Sequence, residues 1–213
     1  MAQLLNKIVK TLVMSDFFLN LGWGLLSPIF ALFILEQVTG NDSLKAAEVA
    51  GLSALFYWIP KSLLEIPIGT ILDKKHGEKD DFWCMVVGTF ITAVVPIGYL
   101  FSTEPWHIYF WQVIHAIGMA MSLPSWLAIF TRHIDKGKEG FEWGTETTSI
   151  GIGAGIAGGV GGLVCNYFGF STLFISVSVL NLVSAICLLF VRNNVFIRRD
   201  GVNAITDRPS VVP

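Results

Sequence analysis

Residues 61–79 read KSLLEIPIGTILDKKHGEK, an apolar stretch that carries Lys61 and Glu65 one helical turn apart, then Pro67, and ends in a basic, glycine-containing run. Charge at the centre of a bilayer costs from about 3 kcal/mol upward, so such groups face a bundle interior or a watery cavity. Whether this stretch lies in lipid depends on the length of the apolar blocks around it.

Those blocks are long. The 213 residues are 53% hydrophobic and 14% charged, with a mean hydropathy of +0.64. Residues 17–35 and 82–103 hold no charge, 105–131 hold no Asp, Glu, Lys or Arg and only the histidines His107 and His115, and 147–191 form one uncharged tract. A helix crossing a hydrocarbon core of ~30 Å needs about 20 apolar residues. The tract 147–191 is twice that length, and Asn166-Tyr-Phe-Gly-Phe-Ser171 inside it predicts a tight turn at a membrane face. The expected architecture is an all-α membrane protein of six transmembrane helices, over about 11–37, 49–72, 82–102, 106–131, 145–165 and 170–191. Residues 1–192 then form one bundle, and the polar residues 193–213 a flexible cytoplasmic tail.

The basic residues orient the bundle. Twelve of the fourteen lysines and arginines fall before span one or after spans two, four and six, while only Lys45 lies in an opposite loop and Lys61 within a span. By the positive-inside rule both termini and the 73–81 and 132–142 connections are cytoplasmic. The expected setting is a multi-pass protein of the cytoplasmic (inner) membrane of a prokaryote. A net charge of −2 gives no basic surface for nucleic acid. Cys84, Cys165 and Cys187 are odd in number and lack metal-ligand spacing, so they read as small apolar fillers, with no metal and no cofactor expected. No G-x-S-x-G elbow, H-E-x-x-H pair or phosphate loop is present, which argues against an enzyme.

Polar residues inside the spans mark the candidate site for a solute or a proton. Asp16, Asn20, Trp23 and Ser27 are spaced by four, three and four, which stacks them on one face of span one. Span two contributes Lys61 and Glu65, which can also simply neutralise each other at this spacing. Span four lines up Trp111, His115, Ser122 and Trp126, with Gln112 nearby. Span three is otherwise apolar, so it is expected to face lipid and to offer no site. In span five, residues 151–162 hold seven glycines in twelve positions, a pattern that allows close helix contact in lipid.

Two of these segments resemble signatures of the major facilitator superfamily. Gly69-x-x-x-Asp73-Lys74-Lys75-His76-Gly77-Glu78-Lys79 resembles the family's G-x-x-x-D-[RK]-x-G-[RK]-[RK] between its second and third spans, with Gly77 one residue later and Glu78 at a basic position. Gly153, Ala157, Gly158, Gly161 and Gly162 overlay its span-five motif G-x-x-x-G-P-x-x-G-G, with alanine for one glycine and glycine for the proline. The resemblance covers the N-terminal six-span half of an ordinary twelve-span member. It implies a secondary active transporter that moves a small organic solute by alternating access, proton-coupled, with the cavity completed by a homodimer or by a second six-span half. A non-transporting scaffold or assembly subunit and a truncated half-transporter are the alternatives. The resemblance also implies a conformational latch from Gly69, Asp73, Lys74 and Gly77, with Arg132 as the cation that Asp73 would meet.

Overall fold

In the computed structural model of the chain, residues 5–75 and 78–206 are described, Lys75 and residues 193–206 by their backbone alone. The described residues fold into helices without strands. Helix α1 spans Lys7–Leu26 and is capped by Asn6, whose Oδ1 accepts the Val9 N–H at 2.9 Å. The chain bends by 44° between α1 and the following helical stretch, α2 (Phe30–Phe33) with a π turn over Ile34–Val38. Pro28 lies in that break, where its missing N–H leaves one rung of the hydrogen-bond ladder empty. Helix α3 (Ser43–Lys75) starts where Asp42 Oδ1 accepts the Leu44 and Lys45 N–H groups, earlier than the expected start at 49.

The expected 73–81 connection is shorter than the sequence suggests. Helix α3 runs through Lys75 and α4 (Glu78–Leu100) starts at Glu78, so Gly69, Asp73 and Lys74 are helical. His76 and Gly77 lie outside the described residues. Helix α5 covers Pro105–His133 behind a capping pair in which the Glu104 N–H donates to His107 Nδ1 at 3.1 Å. Helix α6 covers Glu139–Thr206 and is broken at Gly169, whose φ of 80° and ψ of 173° are non-helical. Only glycine adopts that backbone without steric cost. The helix continues past the expected start of the tail at 193, and residues 207–213 lie outside the described residues.

Helices α3, α4, α5 and α6 are each long and apolar enough to cross a membrane, and α1 with the bent segment after it makes a fifth. Helix α1 packs along α6, α4 lies against both α5 and α6, and α3 leans on α5. Two apolar clusters cap the bundle. One joins Ile8 and Leu12 of α1 to Phe82 and Met85 of α4, Ile129 and Phe130 of α5, and Leu188 and Val191 of α6. The other joins Leu26, Ile34, Val49, Tyr99, Ile108 and Phe174. The start of α1 and residue 191 therefore share one end of the bundle. That end is also tied by Asn6 Nδ2, which donates to the His133 carbonyl at 2.7 Å.

The third apolar block is outward on one side only, and its other side is buried. Phe82, Met85, Val95 and Tyr99 of α4 are fully buried, and Thr89 Oγ1 meets Ser122 Oγ of α5 at 2.9 Å. Helix α4 packs one side between α5 and α6 and turns Trp83, Val87 and Val94 outward, so both of its faces need apolar residues. Helix α3 is more exposed, with Leu55, Trp58, Ile59, Leu63 and Ile66 outward, and the first part of α6 turns Ile152, Ile156 and Leu163 outward.

The glycine-rich part of α6 uses only one of its faces. Gly153, Ala157 and Gly161, four residues apart, face α1: a Cβ added at Gly153 would meet Phe17, one at Gly24 would meet Ala157, and one at Gly161 would strike the Leu25 backbone. Gly158 has nothing within 4 Å and Gly162 only the tip of Ile29, because they stand one residue further round the helix. Of the five residues expected to pack, three do so against α1.

Candidate functional site

A cavity of about 660 Å³ opens between α1, α3 and α5, with Tyr99 of α4 and Ile150 of α6 at its walls. The stripe expected on α1 points into it: Asp16, Asn20, Trp23 and Ser27 all line the cavity. Asn20 Nδ2 donates to Asp16 Oδ2 at 3.0 Å and to the Asp16 carbonyl at 2.9 Å, which fixes the carboxylate on the cavity wall. Trp23 stacks on His115 of α5 with ring centroids 3.9 Å apart and planes 13° from parallel. Tyr57 of α3 covers the other approach to His115 at 4.6 Å.

The aromatic wall has free polar tips. Trp23 Nε1 and Tyr99 Oη are buried without hydrogen-bond partners among the described residues. A buried N–H or O–H left unpaired costs about 1–3 kcal/mol, and both atoms are closed to solvent in this conformation. Ser53 and Gln112 add polar groups, and Leu19, Leu26, Phe30, Met119 and Leu123 make up much of the apolar remainder.

Three of the expected site residues lie off this wall. Lys61 Nζ is bonded to Glu65 Oε1 at 2.6 Å and sits 5.2 Å from the centre of the Trp58 ring, which lines the cavity. Trp111 turns toward α4, where its indole fills the space a side chain at Gly98 would occupy.

At the end of the bundle that holds Ile8 and Val191, Arg132 pairs with Asp81, not with Asp73. Asp81 stands in the first turn of α4 and Arg132 in the last turn of α5, so the two helix dipoles favour this pairing of acid and base. Asp73 is exposed on α3. A double-mutant cycle on thermal stability should therefore give a coupling for Asp81→Asn with Arg132→Gln of about 0.5–1 kcal/mol, small because Arg132 is 39% exposed. The Asp73→Asn with Arg132→Gln cycle should close to zero. Coupling to Asp73 alone would return the ion pair to α3.

Three residues of the site went unnoticed in the sequence. Tyr57 was legible: Ser53, Tyr57 and Lys61 are spaced by four, the same kind of stripe that singled out α1. Tyr99 sits alone in an apolar block and gives no such signal. Glu146, one helical turn before Ile150 of the cavity wall, is the last charge before the uncharged tract and reads as the edge of a loop, yet it is 3% exposed.

The sequence matches the profile of the Major Facilitator Superfamily over residues 12–204. It is 26% identical over 181 residues to a multi-drug resistance efflux pump PmrA homolog of Lactococcus lactis, covering 84% of this chain and 42% of that protein. It is 25% identical over 182 residues to the uncharacterized MFS-type transporter MJ1560 of Methanocaldococcus jannaschii, covering 85% of this chain and 45% of that one. The chain thus spans less than half the length of these relatives. With a match along nearly all of its helices, this chain belongs to the Major Facilitator Superfamily.

Proposed function

We propose that the chain is one six-span half of a secondary transporter that carries a small aromatic or amphipathic organic solute by alternating access, with proton movement coupled through Asp16. The observation that carries this reading is the cavity between α1, α3 and α5, with its polar stripe, its stacked Trp23 and His115, and its unpaired Trp23 and Tyr99 donors. Aromatic walls with a few polar groups suit a flat organic solute. One relative is named a multi-drug resistance efflux pump, which agrees with a solute of that kind. Since Lys61 is held by Glu65, the carboxylate free to exchange a proton with the cavity is Asp16.

Ethidium, a flat aromatic cation, is a suitable probe of the cavity. Purified protein in lipid nanodiscs should bind it with quenching of tryptophan emission, and Trp23→Ala should weaken binding at least tenfold. Equal affinity in wild type and Trp23→Ala, or no binding at all, would remove the cavity as the solute site.

The break at Gly169 divides α6 into two crossings, which with α3, α4, α5 and the bent pair of α1 and α2 makes six and supports both termini on one side. The basic residues support the cytoplasm as that side. The outward apolar faces of α3 and of the first part of α6 flank the cavity and suit a second six-span half, on another copy, another chain or a further part of the same protein. With Cys84, Cys165 and Cys187 replaced by serine, a cysteine at Lys45 should react with an impermeant thiol reagent on whole cells. One at Lys136 should react only after permeabilisation. The reverse pattern inverts the orientation.

A further inference from the structure

The His115 imidazole is gripped on both faces. Trp23 of α1 stacks on it with ring centroids 3.9 Å apart and planes 13° from parallel, and Tyr57 of α3 lies 4.6 Å away at 34°. Two rings this near and this close to parallel cannot share one face of an imidazole, so His115 fills a slot between the indole and the phenol. The three side chains come from three helices, and all three line the cavity.

No polar contact holds the imidazole in that slot. Among the described residues neither of its nitrogens takes part in a hydrogen bond or an ion pair, so stacking keeps the ring in place. The other two described histidines differ in this respect. His133 is fixed by a hydrogen bond between Nδ1 and the Ile129 carbonyl at 2.8 Å, and His107 Nδ1 accepts the Glu104 N–H at 3.1 Å. A buried polar side chain that serves packing normally has such a bond. His115 can turn out of its slot without breaking one. The space to receive it is the cavity of about 660 Å³, whose α5 wall continues to Gln112 one turn before and Met119 one turn after. What the imidazole vacates is a gap of one ring's thickness between two aromatic faces, and the same stacking would hold any flat heteroaromatic ring.

We propose that His115 is the resident occupant of this slot, and that a flat heteroaromatic solute enters by displacing the imidazole from between Trp23 and Tyr57. The solute must then carry a planar ring free on both faces. His115 sets specificity by competition, because a solute that stacks less well than an imidazole leaves the slot closed. The inference rests on the transport reading of the cavity given above, and it narrows the class of solute. Affinity in wild type is reduced by the fraction of time the slot stands empty. Two aromatic contacts leave it empty less than about a fifth of the time.

Ethidium titrated into the purified protein in lipid nanodiscs gives the sign of the effect. His115→Ala should bind it at least about fivefold more tightly than wild type. Tetraphenylphosphonium, a cation whose rings splay in a tetrahedron, should gain nothing. If His115 were part of the wall, its loss would remove a stacking face and weaken ethidium. In wild type with carbon-13-labelled histidine, the His115 ring resonance, shifted upfield by its two neighbours and assigned by its absence in His115→Phe, should lose that shift at saturating ethidium. Unchanged or weaker ethidium binding in His115→Ala, an equal gain for tetraphenylphosphonium, or a His115 resonance that stays in place would each overturn the displacement. Should His115→Ala fail to fold, the wild-type resonance decides alone. Trp23→Ala separates the two readings. If it weakens ethidium while His115→Ala does not tighten it, the cavity stays the solute site and only the displacement falls. No binding by wild type or by His115→Ala removes both.

Discussion

Gly161→Ala is expected to destabilise the bundle by about 1–3 kcal/mol, while Gly159→Ala two residues earlier is expected to stabilise it by about 1 kcal/mol. Both changes add one methyl group to the same helix, and both relieve the same helix-propensity deficit of glycine. They differ in what lies outside. At Gly159 nothing stands within 4 Å, so only the propensity gain remains. At Gly161 the new Cβ would run into the carbonyl and Cα of Leu25 in α1, and backbone atoms inside a helix cannot rotate away as a side chain can. Helix α1 would have to move off α6, and the contacts of Gly24 with Ala154 and Ala157 in the same seam would loosen with it. Thermal unfolding of the two purified variants, followed by tryptophan emission, gives the sign directly. If both shift in the same direction, the seam is looser than this packing requires.

That contrast also shows where the sequence was informative. Seven glycines in residues 151–162 announce a packing helix, but they cannot say which of its faces meets a partner, since glycine has no side chain whose polarity would mark the face. Alignment with a family motif selected Gly158 and Gly162 alongside Gly153, Ala157 and Gly161, and only the three spaced by four meet α1. The α1 stripe was legible for the opposite reason. Asp16, Asn20, Trp23 and Ser27 are out of place in an apolar helix, and a period of 3.6 residues puts them on one face before any coordinates are known. Which side of α4 is buried was not legible, because an apolar face looks the same to a reader whether lipid or protein covers it. Glu146 and Arg132 sit at helix ends, where a charge in sequence looks solvated and only the packing of α1, α4 and α5 decides whether it is. Arg132 therefore met Asp81 in place of Asp73, and Glu146 turned inward.

The largest effect of a charge change should fall on Lys61 and Glu65, and it should be asymmetric. The Lys61 side chain is 7% exposed and that of Glu65 26%, so each single neutralisation strands a different partner. Glu65→Gln removes the counter-charge and leaves the buried ammonium with a neutral amide oxygen and the face of Trp58 at 5.2 Å. Removing one member of a buried pair costs about 3–5 kcal/mol, and contact with an aromatic ring recovers about 1 kcal/mol of that. Lys61→Met leaves Glu65, which can turn toward water and should cost much less. In the double variant no charge is stranded, and methionine fills the volume of the lysine stem. Its stability should return to within about 1 kcal/mol of wild type, since an apolar replacement of a buried pair is often neutral. Unfolding of the four proteins in mixed micelles at one pH provides the cycle, and the interaction free energy is the departure from additivity. Losses that simply add would mean that Lys61 and Glu65 act separately, and the 2.6 Å contact would then carry no coupling. A double variant that regains stability but no longer binds ethidium would assign the pair to the solute site through Trp58. One that regains both confines the pair to holding α3 in the bilayer, and leaves Asp16 as the acid on the cavity wall.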